Sequence, residues 1–276
     1  MSPADAELRF PNAATPPGSA KYYSLRFAPA PRRSDLALIL LWHWELWRIR
    51  DESKDPGVAR LKLDWWRQEL QETRLGRGQH PMSPALGDLI QRHRLPSGPF
   101  LGLADAVEQD LLRTPYPGLA ELMEYADRAT GGLMELLTRI LGAEEEEAAL
   151  ARELGIGIRL VEVVQELGGD LRRQRCYLPR ESLRQVGLSP DELTTPKAAA
   201  TLKSLLATFS AQVQSHQELA MKRSRAARRR LGPALALAAI ASATLKEIRN
   251  SDYPVLRQHI RLTPWRSLWI AWGAQW

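Results

Sequence analysis

Cysteine is almost absent from these 276 residues: Cys176 stands alone. A single thiol cannot form an internal disulfide, so packing must hold the fold, and the chain suits a reducing compartment. No apolar run reaches the roughly 20 residues needed to cross a bilayer. The longest, Leu231 to Leu245, falls short of that and contains Pro233, so it reads as a buried helix. The opening MSPADAELRFPNAATPPGSA lacks the apolar core of a signal peptide, which points to the cytoplasm rather than to secretion. Convincing strands are missing too: nothing alternates apolar and polar residues for long enough, and no repeat of 20–50 residues recurs.

The residues present are those of a globular protein, 44% hydrophobic and 25% charged. The net charge of +6 is concentrated in KRSRAARRR at 222–230. No aromatic or recognition motif accompanies that run, so it reads as a solvated helix end or a contact with an anionic surface, not as a nucleic-acid site.

Residues 1–20, rich in Pro, Ala and Gly, read as a loose tail. From residue 21 to 276 helical patterning is nearly continuous and predicts one all-α domain. Helices are expected over Ser34–Arg50, Pro56–Leu75 with Asp55 as cap, Ser83–Arg94, Pro99–Arg113, Leu119–Leu141, Glu144–Leu171, Ser182–Val186, Pro196–Arg230, Pro233–Arg249 and Pro264–Gln275. Pro at the first position after a Ser, Thr or Asp cap marks several of these starts.

The segment Leu160–Pro179, LVEVVQELGGDLRRQRCYLP, carries the strongest chemical signal. Glu162, Glu166 and Asp170 recur every four residues, one stripe of a helix. Three carboxylates on one stripe repel, so they call for a counter-cation: Mg²⁺, or Lys and Arg of a neighbouring element. The apolar residues between them, Leu160, Val161, Val163, Val164 and Leu167, imply a buried helix whose acids face a cavity. A second acidic cluster, Asp51-Glu52-Ser53-Lys54-Asp55, lies between the first two helices; alone it reads as a helix cap before it reads as a ligand set.

Several ordered blocks together resemble the squalene/phytoene synthase family. They are Tyr22-Tyr23-Ser24 with Pro31-Arg32-Arg33, DPGVARLKLDWWRQEL at 55–70, YADRATGGLMELLTRILG at 125–142, the acid ladder with its RCYLPRESLRQVGL continuation, and YPVLRQHIRLTPWRSL near the C-terminus. The resemblance implies a helical isoprenoid-synthase bundle with a central cavity. There Mg²⁺ on two aspartate-rich motifs would hold isoprenyl diphosphates for head-to-head condensation. On that basis Glu162, Glu166, Asp170 and Asp51 would hold metal. Tyr177 and Tyr125 would line the reacting cavity, and Arg172, Arg173, Arg175 and Tyr22 would bind substrate.

The first motif departs from the family pattern. Trp47 and Arg48 stand at the paired-aspartate positions, Trp44 where an arginine is expected, and Gln165 likewise replaces an arginine. Either Asp51 and Asp55 serve as a motif displaced by one turn, about 5.4 Å along the axis, or that half of the metal site is lost. The second alternative implies a catalytically silent homologue that binds a lipid or a protein partner, as in a family member that assembles respiratory complex I. Finally, Trp265, Trp269, Trp272 and Trp276 form one helical stripe. Packing onto the bundle competes with peripheral membrane contact, where Arg257, Arg261 and Arg266 would meet anionic headgroups.

Overall fold

Asp55 shows how this sequence writes its helices. Its carboxylate accepts hydrogen bonds from the Gly57 and Val58 backbone N–H groups, and Pro56, which has no N–H to satisfy, takes the first helical position. In a computed structural model, which describes residues 7–53 and 55–275, every regular element among the described residues is helical. Helix α1 covers Ala20–Arg26, α2 Arg33–Glu52, α3 Pro56–Arg74, α4 Ser83–His93, α5 Gly98–Leu112, α6 Leu119–Ala126 and α7 Gly132–Ile140. They are followed by α8 Glu145–Gln165, α9 Leu167–Arg172, α10 Arg180–Gln185, α11 Ala199–Ser224, α12 Arg228–Asn250 and α13 Pro264–Gln275.

Helix α8 is the central strut, flanked by α7, α11 and α12. It can be central because it is apolar nearly all round, from Leu154 to Val164. One apolar core gathers α2 to α5 with α7; a second gathers α6, the C-terminal half of α8 and α11. Trp47 packs against both, so it stands at the seam between them.

Several elements differ from the sequence expectation, and backbone contacts account for two of the differences. The helix expected over Leu119–Leu141 is interrupted by a π-helical turn at Asp127–Gly131. There the chain touches α8 directly: a Cβ on Gly155 would lie 2.6 Å from the Gly131 Cα and the Thr130 carbonyl. The helix expected over Glu144–Leu171 breaks at Glu166, and α9 turns so that Gly168 meets the Val255 carbonyl, 2.5 Å from where its Cβ would sit. Pro233 lies inside α12, which begins earlier, at Arg228.

The loose tail expected over residues 1–20 falls partly outside the described residues. Within them, Ala14 and Thr15 are buried and the Asn12 amide donates to the Ala37 carbonyl at 2.9 Å. Helix α1, not anticipated, is capped by Ser19, whose hydroxyl accepts from the Tyr22 N–H.

Gly155→Ala tests the close approach that sets the site. Overpacking at this distance should lower the unfolding free energy by about 1–3 kcal/mol, measured by urea denaturation, whereas an unchanged midpoint would mean that α8 can move away freely.

Candidate functional site

At the seam between the two cores lies a buried polar cluster drawn from five parts of the chain. Asp110 of α5 is its anion. Its Oδ2 accepts from the Tyr125 hydroxyl at 2.9 Å, the Tyr177 hydroxyl at 2.8 Å and the Arg50 Nη1 at 3.0 Å. Arg159 of α8 donates from Nη2 to the Tyr125 hydroxyl at 2.8 Å and from Nη1 to Glu162 at 3.0 Å. Each buried charge therefore faces an opposite charge or a phenol. Burial, first of all, pushes the Tyr125 and Tyr177 hydroxyls above their ordinary range, so both keep the protons they donate. Burial alone would weaken the Arg159 cation, but the facing Tyr125, Tyr177, Glu162 and Asp110 hold its pKa above the usual value.

Trp47 covers this cluster. Its indole lies under the Arg50 guanidinium at 4.4 Å and the Arg159 guanidinium at 5.2 Å, within cation–π range of both. The indole N–H donates to His43 Nε2 at 2.8 Å. His43 can accept because burial, and then the Lys21 ammonium, hold its imidazole well below the usual range.

The sequence-predicted residues divide into two groups. Asp51, Arg175, Tyr125 and Tyr177 come together here: Asp51 accepts from Arg50 at 2.9 Å and from Arg175 at 3.3 Å, and Arg175 also donates to the Arg50 carbonyl. Asp170 is buried nearby. Desolvation, partly offset by Arg159 and Arg50, raises its carboxyl to about 6. Glu162 is half-exposed beside Arg159, and Glu166, past the end of α8, faces His259 at 3.4 Å. Arg172 and Arg173 are exposed, and Arg172 reaches only the Leu256 carbonyl. Tyr22 lies in a different cleft, where its ring stacks on Phe10 at 5.2 Å.

Among the described residues the acids expected to hold magnesium are not gathered into one site, and two of the four are committed to arginines. Asp51 is held by Arg50 and Arg175, Glu162 by Arg159, and Asp55 by backbone N–H groups as a cap, so a motif displaced by one turn has no free carboxylates. Among the described residues no three His, Cys, Asp or Glu side chains converge into a metal-holding group. An indole fills the space between α2 and α8 where one side of a metal clamp would stand.

A second cavity opens beside the cluster. It encloses about 390 Å³ between α1, α8 and α12, with a floor of Ile158, Val161, Leu237, Ile240 and Ala241. Lys21, Glu162, Gln165 and Arg261 supply the polar groups of its wall. Burial lowers the Lys21 pKa, opposed by the Glu162 carboxylate, and the ammonium makes no hydrogen bond or ion pair among the described residues. Sequence reading passed over Lys21, Arg50, Asp110 and Arg159. Arg159 could have been found as the i−3 partner of Glu162, but Asp110 has no signal in its local spacing.

The family model described as squalene/phytoene synthase matches residues 15–266. The chloroplastic phytoene synthase of Narcissus pseudonarcissus is 26% identical over 190 residues, covering 66% of this chain and 45% of that protein. The bifunctional protein CrtB/UppS of Streptomyces coelicolor is 30% identical over 167 residues, 60% of this chain and 30% of the relative. The chain thus aligns with less than half the length of either. The squalene synthase HpnC of Alicyclobacillus acidocaldarius superposes with a TM-score of 0.76 at 23% identity, covering 84% of this chain and 88% of that one. A dehydrosqualene synthase solved with a ligand gives 0.80 at 15% identity, over 93% and 90%. These likenesses establish the fold.

Two variants probe the cluster. Asp110→Ala should cost about 3 kcal/mol in urea unfolding, the low end for a broken buried pair, because Asp51 still holds the other edge of Arg50; a loss below about 1 kcal/mol would mean that the pair does not support the bundle. Asp170 gives the opposite sign. Its folded pKa lies above the unfolded one, so ionising it destabilises the fold progressively from about pH 4 to pH 6, with the full penalty above pH 6. Asp170→Asn should therefore be more stable than the parent by about 2–3 kcal/mol at pH 7.5 and indistinguishable from it near pH 3.5. Equal stabilities at both pH values would show that burial does not penalise this carboxylate.

Proposed function

Since the chain belongs to the squalene/phytoene synthase family, we propose that it binds a single isoprenyl diphosphate and does not condense two of them. The observation that carries this reading is the 390 Å³ cavity with its apolar floor and cationic wall. Its size and its few convergent polar groups suit a small amphipathic ligand. A prenyl chain would lie against Ile158, Val161, Leu237 and Ile240, and the diphosphate would meet Lys21 and Arg261. Lys21 gains most: an ammonium weakened by burial is restored when an anion arrives. Glu162 opposes this attraction only in part, because Arg159 shares its charge at 3.0 Å.

Head-to-head condensation asks more of a protein. Two diphosphates must lie side by side, one must leave, and a carbocation must be sheltered from water. The space beside this cavity is taken by Trp47 and the Asp110 cluster, and of the acids that would hold magnesium Asp51 and Glu162 are bound to arginines. What remains is one binding place whose anion charge is met by Lys21 and Arg261 rather than by metal. In isoprenoid metabolism such a protein would carry or present a prenyl diphosphate, alone or to a protein partner.

Calorimetric titration with farnesyl and geranylgeranyl diphosphates, with magnesium and with a chelator, tests this. One equivalent should bind in both conditions. Lys21→Met and Arg261→Gln should each weaken binding roughly ten- to a hundredfold, the worth of a hydrogen bond to a charged group. Extraction of the same mixtures should give no C30 or C40 hydrocarbon and no cyclopropyl diphosphate; either product would overturn the non-condensing reading. The absence of saturable binding in both conditions would overturn the ligand.

A further inference from the structure

Helix α13 carries its aromatic residues on the outside. It meets the bundle through Ser267 and Ala271, while Trp265 is 72% exposed, Trp269 62% and Trp272 47%. Packing of this stripe onto the core, the competing sequence expectation, is not what the described part of it does; Trp276 lies outside the described residues. Trp269 and Trp272 meet edge to face at 5.7 Å and form one wall of a cleft of about 780 Å³. Tyr22, Tyr23 and Phe27 of the α1 region form the opposite wall, with Arg26 beside them.

The charge around this face is of one sign. Residues 18–33, which include α1, contain Lys21, Arg26, Arg32 and Arg33 and no carboxylate. Residues 253–275, which include α13, contain Arg257, Arg261 and Arg266 and no carboxylate. Arg266 pairs with Glu247 of α12, but Arg26, Arg257 and Arg261 have no acidic partner among the described residues. Exposed tryptophans between two basic segments that carry no carboxylate match the interface of an anionic bilayer. Indoles settle at the headgroup level and arginines meet the lipid phosphates. A second copy of the chain would instead bring two basic faces together, and a cationic protein partner would be repelled.

We propose that the α1–α13 face is a peripheral docking surface for anionic membranes, with Trp265, Trp269 and Trp272 entering the headgroup layer. The docking stands independently of the prenyl diphosphate reading, but the geometry links them. Gly18 lines both the aromatic cleft and the 390 Å³ cavity, and Ser267 and Leu268 line one each. A docked protein therefore opens its cavity beside the lipid layer in which isoprenoid chains dissolve.

Vesicle flotation of the full chain checks this without any isoprenoid ligand. Binding should be strong to vesicles of phosphatidylcholine mixed with phosphatidylglycerol and weak to phosphatidylcholine alone, should fall as salt rises, and should shift the tryptophan emission to the blue. The double variant Trp269→Ser with Trp272→Ser should lose at least about tenfold in bound fraction, with an unchanged circular dichroism spectrum because both side chains are largely solvated. Arg26→Gln should narrow the difference between the two vesicle types. Unaltered flotation of the double variant, or no preference for anionic vesicles, would overturn the proposal. So would a vesicle-free dimer that the double variant dissociates, since the face would then be a contact between copies.

Discussion

The carboxylate of Asp110 is the point from which the centre of this molecule is built. Its Oδ2 receives hydrogen bonds from Arg50 of α2, Tyr125 of α6 and Tyr177 beyond α9, so one atom of α5 ties to itself segments up to 67 positions away. A buried ion pair is weak evidence for stability as such, because desolvation consumes most of the attraction. Its value here is geometric. With Asp110 as hub, the Arg50 and Arg159 guanidiniums have one place to stand, and Trp47 has one surface to cover. Remove the hub, and two buried cations lose the anion that justifies their burial.

On the reading proposed above, Trp47 separates this chain from its family's chemistry. An indole offers no oxygen to a hard cation, and it fills volume that a metal–diphosphate cluster needs. The residues around it have adapted: two arginines lie against its face, and an uncharged histidine accepts its N–H. Such mutual satisfaction is costly to undo, because every group exposed by removing the indole is a buried donor, cation or phenol. The seam between the two cores is a closed polar joint, and the proposed ligand would lie in the neighbouring cavity lined by Lys21.

Much of the bundle was legible in the sequence because its helices announce themselves locally. Asp55-Pro56 and the apolar stretch of α8 are signals contained within one turn or one face. The interruptions were not legible, since the π turn at Asp127–Gly131 and the break at Glu166 arise where Gly155 and Gly168 touch distant backbone. The acid ladder was half legible: a four-residue spacing predicts a common face, but the helix breaks after Gln165, Glu166 faces His259 and Asp170 is buried. Tyr22 was read as substrate-binding because its block matched the family, whereas its neighbour Lys21 faces the cavity. One residue along a helix turns a side chain by about 100°, which no motif of matched letters resolves.

The ladder's own charge balance points the same way. A two-sided metal site needs carboxylates in excess, so that the cations they require arrive with the metal. Here the acids are met from within: Asp51 by Arg50 and Arg175, Glu162 by Arg159, Asp110 by Arg50. With those carboxylates paired, Lys21 and Arg261 form no ion pair among the described residues, although Glu162 acts on Lys21 from a distance. The balance is inverted relative to a metal site, since what this cavity lacks is an anion. On the proposed reading a phosphate-headed lipid would supply it in the cavity, and the basic segments around α1 and α13, which carry no carboxylate, would ask for the same charge on a larger scale.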